Sequence, residues 1–420
     1  MWRPAYSEAM PGYKNVGRTG LDRREAEPSA RMKRRAARVL SLGDYEALAR
    51  AHLPRPLFGY VAGACEDNLT VAANRDAMRR VTFIPRALRD MAGRTQQASL
   101  FGESWSSPFG IAPMGLSALI AMRGDIALAR AAHAENVPML LSATSLIRLE
   151  EVRAVSPSCW FQAYLPADRD WIDGVVDRVS AAGFGTLVIS VDVPVLGNRE
   201  NLIRERFSTP LKPSLRLALD GLLHPRWLLG TFAPTLLRHG MPAFENSSAT
   251  RGAPVIARNA ERSFGQRDRL TWDGIRYIRD RWRGNLVIKG LLHPEDARLA
   301  RSVGADAIIL SNHGGRQLDG ALATLDALPA AVAAAGDMPV LIDSSFRRGS
   351  DILKAIALGA RMVLIGRPFL YAAAVHGEAG VRHAIGLLRA EIDRNMALLG
   401  TNSLDELGPD YLHRTDGAAI

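Results

Sequence analysis

Cysteine and long hydrophobic runs are scarce in this chain of 420 residues. Its two cysteines, Cys65 and Cys159, offer neither a disulfide framework nor the spacing of a metal site, so we expect a reducing compartment. No apolar run reaches the roughly 18 residues that a membrane-spanning helix needs, so we expect no transmembrane helix. The N-terminal stretch also lacks the apolar centre of a signal peptide.

Acidic residues are outnumbered by basic ones, 43 against 53, which gives a net charge of +10. Much of the excess lies in the first forty residues and in scattered arginines. No nucleic-acid-binding motif and no stripe of interleaved basic and aromatic residues occurs. Attraction for anionic substrates, phosphate-bearing cofactors or a lipid surface is therefore the simpler interpretation.

Residues 1–41 are polar, rich in arginine and interrupted by proline and glycine. This composition predicts a disordered extension, and its acidic residues argue against a transit peptide. Met32, followed by three basic residues, offers a second start, so a mis-started extension is the alternative. Capping residues at Ser41-Leu42-Gly43-Asp44 then predict the beginning of an amphipathic helix.

An alternation of apolar runs with segments of helical spacing begins near residue 107. The apolar runs that read as strands are Phe109–Ala112, Met139–Ser142, Trp160–Tyr164, Leu187–Val191, Leu286–Ile288, Ala307–Leu310, Val340–Ile342 and Met362–Ile365. Helical candidates include Asp125–Glu135, Trp171–Ala182, Pro294–Ser302 and Gly349–Leu358. Eight such units predict an α/β fold, a parallel (β/α)8 or TIM barrel. An open doubly wound sheet is the alternative, but no GxGxxG turn opens the first unit.

Polar residues follow most of these apolar runs, where a barrel of this type carries its active site. The most informative stretch is Ser311-Asn312-His313-Gly314-Gly315-Arg316-Gln317-Leu318-Asp319, which follows a buried strand. His313 can take up a proton near neutral pH, and Arg316 can bind a carboxylate through two parallel hydrogen bonds. A lone histidine after a strand is more often structural, but together with Arg316 it indicates chemistry on a small carboxylic acid.

Residues 197–268 interrupt the alternation between the fourth and fifth units, and we assign residues 200–268 as an insertion in a barrel spanning 42–415. The segment is long, basic and apolar, and contains His224-Pro225-Arg226-Trp227. This composition is typical of peripheral contact with a membrane. An oligomer contact or a mobile lid is the alternative.

The nine-residue stretch 311–319 resembles the active-site signature of the FMN-dependent 2-hydroxy acid dehydrogenases and oxidases. The resemblance extends from about Leu42 to about Leu412. It implies FMN as cofactor and a substrate site with His313 as the general base. The other residues implied for that site are Asp192 as the carboxylate partner of the histidine, Arg199, Arg316 and Tyr60 for the substrate carboxylate, and Tyr164 for the substrate hydroxyl.

The resemblance also implies a set of residues around the flavin. These are Pro113, Met114, Gly115, Ser142, Gln162, Ser190, Lys289, Asp343, Ser345, Arg347, Gly366 and Arg367. The chain departs from the family pattern in two places. Ser345 stands where a glycine is common, and a positive φ there would cost a serine. Ala64-Cys65 stands where two glycines usually precede an acidic pair.

The resemblance is greatest to the bacterial lactate (cytochrome-linked) and (S)-mandelate dehydrogenases. Gly115 and Thr144 agree with them, as does the insertion. It implies oxidation of an L-2-hydroxy acid to the 2-oxo acid, with electrons passed to a quinone or cytochrome. It further implies a homotetramer, cytoplasmic or peripheral on the inner face of the cell membrane. The alternatives are an oxidase that reduces O2 to hydrogen peroxide and, more remotely, a non-catalytic flavin-binding barrel. Hydride transfer and carbanion formation both remain open.

Overall fold

A computed structural model describes residues 38–212, 214–256 and 266–417. The predicted extension over residues 1–41 lies outside the described residues except for 38–41. The strands are β1 Val81–Phe83, β2 Ala98–Leu100, β3 Glu103–Trp105, β4 Phe109–Ile111, β5 Leu140–Ser142, β6 Trp160–Ala163, β7 Thr186–Ser190, β8 Asn285–Leu291, β9 Ala307–Leu310, β10 Val340–Ile342, β11 Met362–Ile365 and β12 Leu412–Arg414.

Strands β4 to β11 form a parallel barrel, and their order around it follows the chain. The hydrogen-bonded sheet runs β4-β11-β10-β9-β8-β7-β6-β5. Its two ends meet where the N–H of Ile111 donates to the carbonyl of Pro138 at 2.8 Å. This closure confirms the predicted (β/α)8 barrel. The alternative, an open doubly wound sheet, is wrong.

The helices are α1 Leu42–His52, α2 Arg55–Ala62, α3 Leu69–Arg80, α4 Ser117–Ile120, α5 Gly124–Ala134, α6 Leu149–Val155, α7 Arg169–Ala181, α8 Glu200–Arg204, α9 Leu215–Leu222, α10 Pro225–Trp227, α11 Ala233–His239, α12 Trp272–Arg281, α13 Pro294–Ser302, α14 Thr324–Ala335, α15 Gly349–Ala357 and α16 Arg367–Leu399. A π-helical turn, Leu228–Phe232, joins α10 to α11. At the start of α1 the N–H of Ser41 donates to Asp44 Oδ2 at 2.9 Å. The predicted capping residues therefore do begin a helix.

Strand positions match the predicted runs because the apolar stretches are buried on both faces. In β9, for example, Ala307, Ile308, Ile309 and Leu310 are all fully buried, as expected for a parallel strand between barrel interior and helices. The predicted fifth run, Leu286–Ile288, was too short. Strand β8 continues through Lys289 to Leu291, with a shift in its pairing to β9 between those two residues.

Outside the barrel, the chain forms two small antiparallel sheets and further helices. Strands β1 and β12 pair antiparallel, as do β2 and β3. Helix α1 packs on the long helix α16, where the hydroxyl of Tyr45 lies 2.9 Å from Nδ1 of His383. Helix α2 then carries Tyr60 to the upper end of the barrel.

The insertion between β7 and β8 contains helices α8 to α11. Trp227 anchors it, because its Nε1 donates to the carbonyl of Leu119 at 2.7 Å. Large apolar side chains point outward from the same helices: Leu215, Leu219, Leu222, Leu223, Leu229 and Leu237 are each at least half exposed. In the part of the chain that the structure describes, no helix is both long and apolar enough to cross a membrane.

Candidate active site

A cavity of about 690 Å³ opens at the carboxyl ends of the barrel strands. The predicted site residues that line it are Tyr60, Pro113, Met114, Gly115, Ser142, Tyr164, Arg199, Lys289, His313, Arg316, Asp343, Ser345, Arg347, Gly366 and Arg367. Three predicted residues do not line it. Gln162 and Ser190 are buried behind its wall, and Asp192 lies behind His313.

His313 and Asp192 form a hydrogen-bonded pair at this wall. Nδ1 of the histidine lies 3.0 Å from Oδ2 of the aspartate. The turn after β9 places His313 in the left-handed region at φ +57°, which costs a non-glycine residue about 1–3 kcal/mol. Gly290 of β8 leaves room for the pair, since a Cβ there would lie 2.6 Å from the Cβ of Asp192.

Burial and neighbouring charges determine which atoms of His313 and Asp192 carry protons. Burial lowers the pKa of His313, and attraction to Asp192 offsets only part of that effect. Burial alone would raise the pKa of Asp192, but His313 and then Lys289 hold it below its usual value. At neutral pH the histidine is therefore neutral and the aspartate ionised. Because a carboxylate only accepts hydrogen bonds, Nδ1 carries the ring proton and Nε2 has the free lone pair.

Arg316 and Arg199 stand side by side at the cavity. A terminal nitrogen of Arg316 donates to the carbonyls of Tyr60 and Gly63, each at 2.7 Å, and its guanidinium lies 5.1 Å from the Tyr60 ring centre. Arg199 donates to the Arg316 carbonyl at 2.9 Å and to Oε1 of Gln317 at 2.6 Å. Burial, followed by repulsion from Arg199, lowers the pKa of Arg316 to about 10, which still leaves it charged at neutral pH.

A second pair of guanidinium groups, those of Arg347 and Arg367, lines the same cavity. Arg367 donates to the carbonyls of Val61, Gly63 and Gly314 at 2.8–3.2 Å. Burial lowers its pKa to about 9 and lowers that of Arg347 as well. Across residues 38–212, 214–256 and 266–417, none of these four arginines, Arg199, Arg316, Arg347 and Arg367, forms an ion pair with a carboxylate. Such a concentration of positive charge is suited to anionic ligands.

Lys289 is buried and ionised. Its ammonium lies 2.8 Å from Oδ2 of Asp343 and donates to the Ser311 hydroxyl at 2.7 Å. Burial alone would lower its pKa, but Asp343 and then Asp192 raise it above the usual value. The lysine thus presents a fixed positive charge at the end of β8.

Several features of the cavity wall fit a bound FMN. Ser345 Oγ at the wall, and Gln162 Nε2 directly behind the lining residue Ser142, are buried with no hydrogen-bond partner in the described chain, and a polar ligand can supply one. Arg347 and Arg367 supply positive charge suited to a phosphate. Ser344 and Ser345 follow β10 at φ +86° and +63°. The strain expected for a serine at the usual glycine position is therefore present.

Sequence patterns missed some contacts at the site. Phe207 stacks on Tyr60 with ring centres 4.6 Å apart, and the Arg267 guanidinium lies 4.8 Å from the Tyr164 ring centre. Both residues come from the insertion, where no local pattern marks them. Gln317 was visible within the stretch 311–319. Its Nε2 donates to the carbonyl of Asp192 at 3.0 Å, so it braces the loop that carries that aspartate.

The family of FMN-dependent dehydrogenases matches residues 49–414. The chain belongs to this family. An (S)-mandelate dehydrogenase from Pseudomonas putida is 42% identical over 381 residues, which cover 89% of this chain and 94% of that protein. An L-lactate dehydrogenase from Azorhizobium caulinodans is 39% identical over 385 residues, 89% of this chain and 98% of that one.

Solved structures extend this similarity to the fold of the FMN-dependent dehydrogenases. A crystal structure of the monotopic membrane protein (S)-mandelate dehydrogenase superposes with a TM-score of 0.81 at 39% identity, covering 90% of this chain and all of that one. A mandelate oxidase superposes with a TM-score of 0.73 at 34% identity, covering 89% and 98%. The protein is thus an FMN-dependent 2-hydroxy acid dehydrogenase built on a TIM barrel.

Proposed function

We propose that the protein oxidises an L-2-hydroxy acid of the mandelate or lactate type to the 2-oxo acid and passes the electrons to a quinone or cytochrome. The observation that carries this proposal is the position of Arg199 and Arg316 beside the His313–Asp192 pair, with no carboxylate partner for either arginine among the residues that the structure describes. A positive site for a carboxylate next to a neutral histidine is what oxidation at the adjacent carbon requires.

Arg316, Arg199 and Tyr60 would bind the substrate carboxylate. Holding that group fixes the position of the 2-hydroxyl and of the C2 hydrogen relative to His313. Burial, followed by the charge of Asp192, raises the pKa of Tyr164 to about 12, so its hydroxyl stays protonated. Tyr164 is then a hydrogen-bond donor for the substrate hydroxyl.

His313 would act as the general base through Nε2. Once this atom accepts a proton, the ring is positively charged and Asp192, 3.0 Å from Nδ1, stabilises it. The same residues serve whether the proton comes from the 2-hydroxyl or from C2, so hydride and carbanion routes remain alternatives. Bound FMN supplies the acceptor for the two electrons.

The residues proposed to hold FMN fall into two groups. Lys289, Ser142 and Gln162 are suited to the polar edge of the ring, with Pro113, Met114 and Gly115 beside it. Ser345, Arg347, Gly366 and Arg367 lie after β10 and β11, where barrels of this type commonly bind phosphate. Asp343 is assigned to the ribityl hydroxyls. Ser190 is buried behind the wall and would contribute through its backbone.

The apolar residues on one wall of the cavity favour a substrate with an apolar side chain. Leu196, Leu202, Ile203 and Phe207 line it, and all four come from the stretch between β7 and α9. Apolar walls favour an aromatic or aliphatic group. Tests of this proposal are anaerobic titrations of the yellow protein with the L- and D-forms of mandelate and lactate and with glycolate, which is achiral. Rapid bleaching by L-acids supports it; a panel in which no 2-hydroxy acid bleaches the flavin contradicts it.

A membrane-bound acceptor is supported by the insertion. Its helices expose leucines that a lipid surface would cover, next to Arg216, Arg226 and Arg238. We place the protein at the inner face of the cell membrane, as a homotetramer. Flotation with lipid vesicles tests this placement: wild-type protein should float, and Leu219→Asp/Leu237→Asp should remain in solution with its flavin bound.

The oxidase alternative has its own test. At Gly115 a Cβ would lie 2.1 Å from Oγ1 of Thr144, so the alanine that many oxidases carry there would require Thr144 to move in this chain. We therefore expect slow reoxidation of the reduced protein by air and rapid reoxidation by a quinone. Hydrogen peroxide formed in step with substrate under air would establish the oxidase instead.

A further inference from the structure

A second cavity, of about 440 Å³, lies away from the active site, between the barrel and the insertion. We call it the arginine cleft. Its barrel side is formed by the loops that follow β4 and β5, and its outer side by the end of helix α11 and the chain after it. Its charged lining comprises Arg123, Arg148, Arg178, Arg251, Glu151 and Glu245.

Two of the four arginines are held in place by ion pairs and hydrogen bonds within the protein. Arg178 is bound to Glu150 at 2.8 Å and to the carbonyl of Glu245 at 2.7 Å, so it ties α7 to the insertion. Arg123 forms an ion pair of 2.7 Å with Glu151. These two guanidinium groups are the fixed part of the cleft.

The other two arginines have N–H groups that make no hydrogen bond to the described residues. The side chains of Arg148 and Arg251 are 61% and 63% exposed. Arg148 approaches Glu150 only through Nε, at 3.4 Å. Arg251 uses Nε for Glu245 at 2.8 Å and one terminal nitrogen for the Met241 carbonyl at 3.4 Å. Within the described residues, the remaining terminal nitrogens of both side chains have no partner.

Apolar residues adjoin the cleft on its insertion side. Met241 lines it and is 38% exposed, and Leu237, on the same helix as His239, is 87% exposed. An anionic group held by the free guanidinium donors would therefore sit beside a surface suited to hydrocarbon. The ligand that combines these two chemistries is a glycerophospholipid.

We propose that the arginine cleft binds the phosphate of an anionic phospholipid through Arg148 and Arg251. Guanidinium groups bind phosphate oxygens in pairs, and the four lining arginines outnumber the three carboxylates that pair with them, Glu150, Glu151 and Glu245. The inference rests on the proposed membrane association. It goes further in assigning a defined headgroup site, which would fix how the insertion is oriented on the bilayer, rather than a general attraction of basic residues.

The test uses the complete flavoprotein and a short-chain phosphatidylglycerol below its micellar concentration, titrated by calorimetry. Wild-type protein should bind it saturably. Arg148→Gln/Arg251→Gln should bind at least about tenfold more weakly, because it lacks the guanidinium donors of both arginines. Arg148→Lys/Arg251→Lys should be intermediate, because it keeps the charge and loses the paired geometry. Flavin content and activity with a soluble dye should be unchanged, which shows that the variants are folded.

The matched control is Arg216→Gln/Arg238→Gln, which removes the same charge from exposed positions of the same insertion outside the cleft. It should bind the soluble lipid within about twofold of wild type. Equal losses in the two glutamine variants would overturn the proposal, since they would show general attraction only. Short-chain phosphatidylcholine, which is zwitterionic, should bind more weakly than phosphatidylglycerol.

Inorganic phosphate separates the two sources of the anion. If phosphate alone binds as tightly as the short-chain lipid, the site is for free phosphate and the lipid assignment is wrong. Vesicle flotation of wild-type protein is scored separately. A protein that binds the soluble lipid in the cleft but never floats would contradict the proposed membrane association and leave the cleft assignment standing.

Discussion

Nδ1 of His313 lies 3.0 Å from Oδ2 of Asp192, although 121 positions separate the two residues. They follow β9 and β7, with β8 between them. Gly290 of β8 passes beside the aspartate at φ +107°, where a side chain has no room. The pair thus depends on three neighbouring strands of one barrel.

Replacing the histidine should separate catalysis from cofactor binding. His313→Gln keeps a side chain of similar size and removes the base, so flavin reduction by substrate should slow by about 10²–10⁴-fold or more. The flavin content should match that of wild type. Stopped-flow absorbance under anaerobic conditions gives the rate. His133→Gln, at an exposed position of α5, is the control and should reduce its flavin at the wild-type rate.

Replacing the aspartate should move a pH profile. Asp192 raises the pKa of His313 by attraction and by its hydrogen bond. In Asp192→Asn the pKa of the histidine should fall, so the acid limb of kcat/KM, which reports protonation of the base, should move to lower pH. The plateau should drop as well, because the charged ring is no longer stabilised. An acid limb that stays in place would show that His313 is not the group that titrates.

Gly115 and Thr144 should be coupled in a double-mutant cycle. A Cβ at position 115 would lie 2.1 Å from Oγ1 of Thr144, so Gly115→Ala must displace either the Thr144 side chain or the loop after β4. Overpacking of this kind costs about 1–3 kcal/mol, or about 5- to 150-fold in FMN affinity. Thr144→Ala removes the obstructing oxygen and should recover most of the loss. FMN dissociation constants of the four proteins measure the coupling, and additive losses would contradict it.

Asp125 should make stability depend on pH. It lies in the first turn of α5, is 1% exposed, and has one carboxylate oxygen without a partner in the described chain. Burial raises its pKa from 3.8 to about 6, against the opposing effect of its bonds to Ser145 and Ser117. The folded state therefore holds a proton that the unfolded state releases, so this group costs stability as the pH rises from about 4 to about 6.

Asp125→Asn removes that cost. The free energy of unfolding of the variant should exceed that of wild type by up to about 3 kcal/mol at pH 8 and by about half as much at pH 5. This follows because each unit by which the pKa of Asp125 is raised costs about 1.36 kcal/mol. Urea denaturation of the flavin-loaded proteins at the two pH values provides the comparison. A gain that is the same at both would exclude titration of Asp125 as its source.

Local sequence signals predicted the barrel and the central residues of the site. Apolar runs such as Ala307–Leu310 indicate buried parallel strands. The stretch 311–319 contains the histidine base, the glycine turn and the arginine together. The obstruction between Gly115 and Thr144, and the ring of Tyr60 under Phe207, depend on contacts between distant loops. No periodicity encodes such contacts, because they arise only when the barrel closes and the insertion folds back on it.

Four arginines that have no carboxylate partner in the described part of the chain, Arg199, Arg316, Arg347 and Arg367, face one cavity. Their mutual repulsion opposes folding, and an anion that binds among them relieves it only in the folded chain. Ligands of this kind raise the free energy of unfolding in proportion to the logarithm of their concentration. Cofactor loading is therefore part of the folding equilibrium, and the chain without FMN should unfold more readily than the loaded protein.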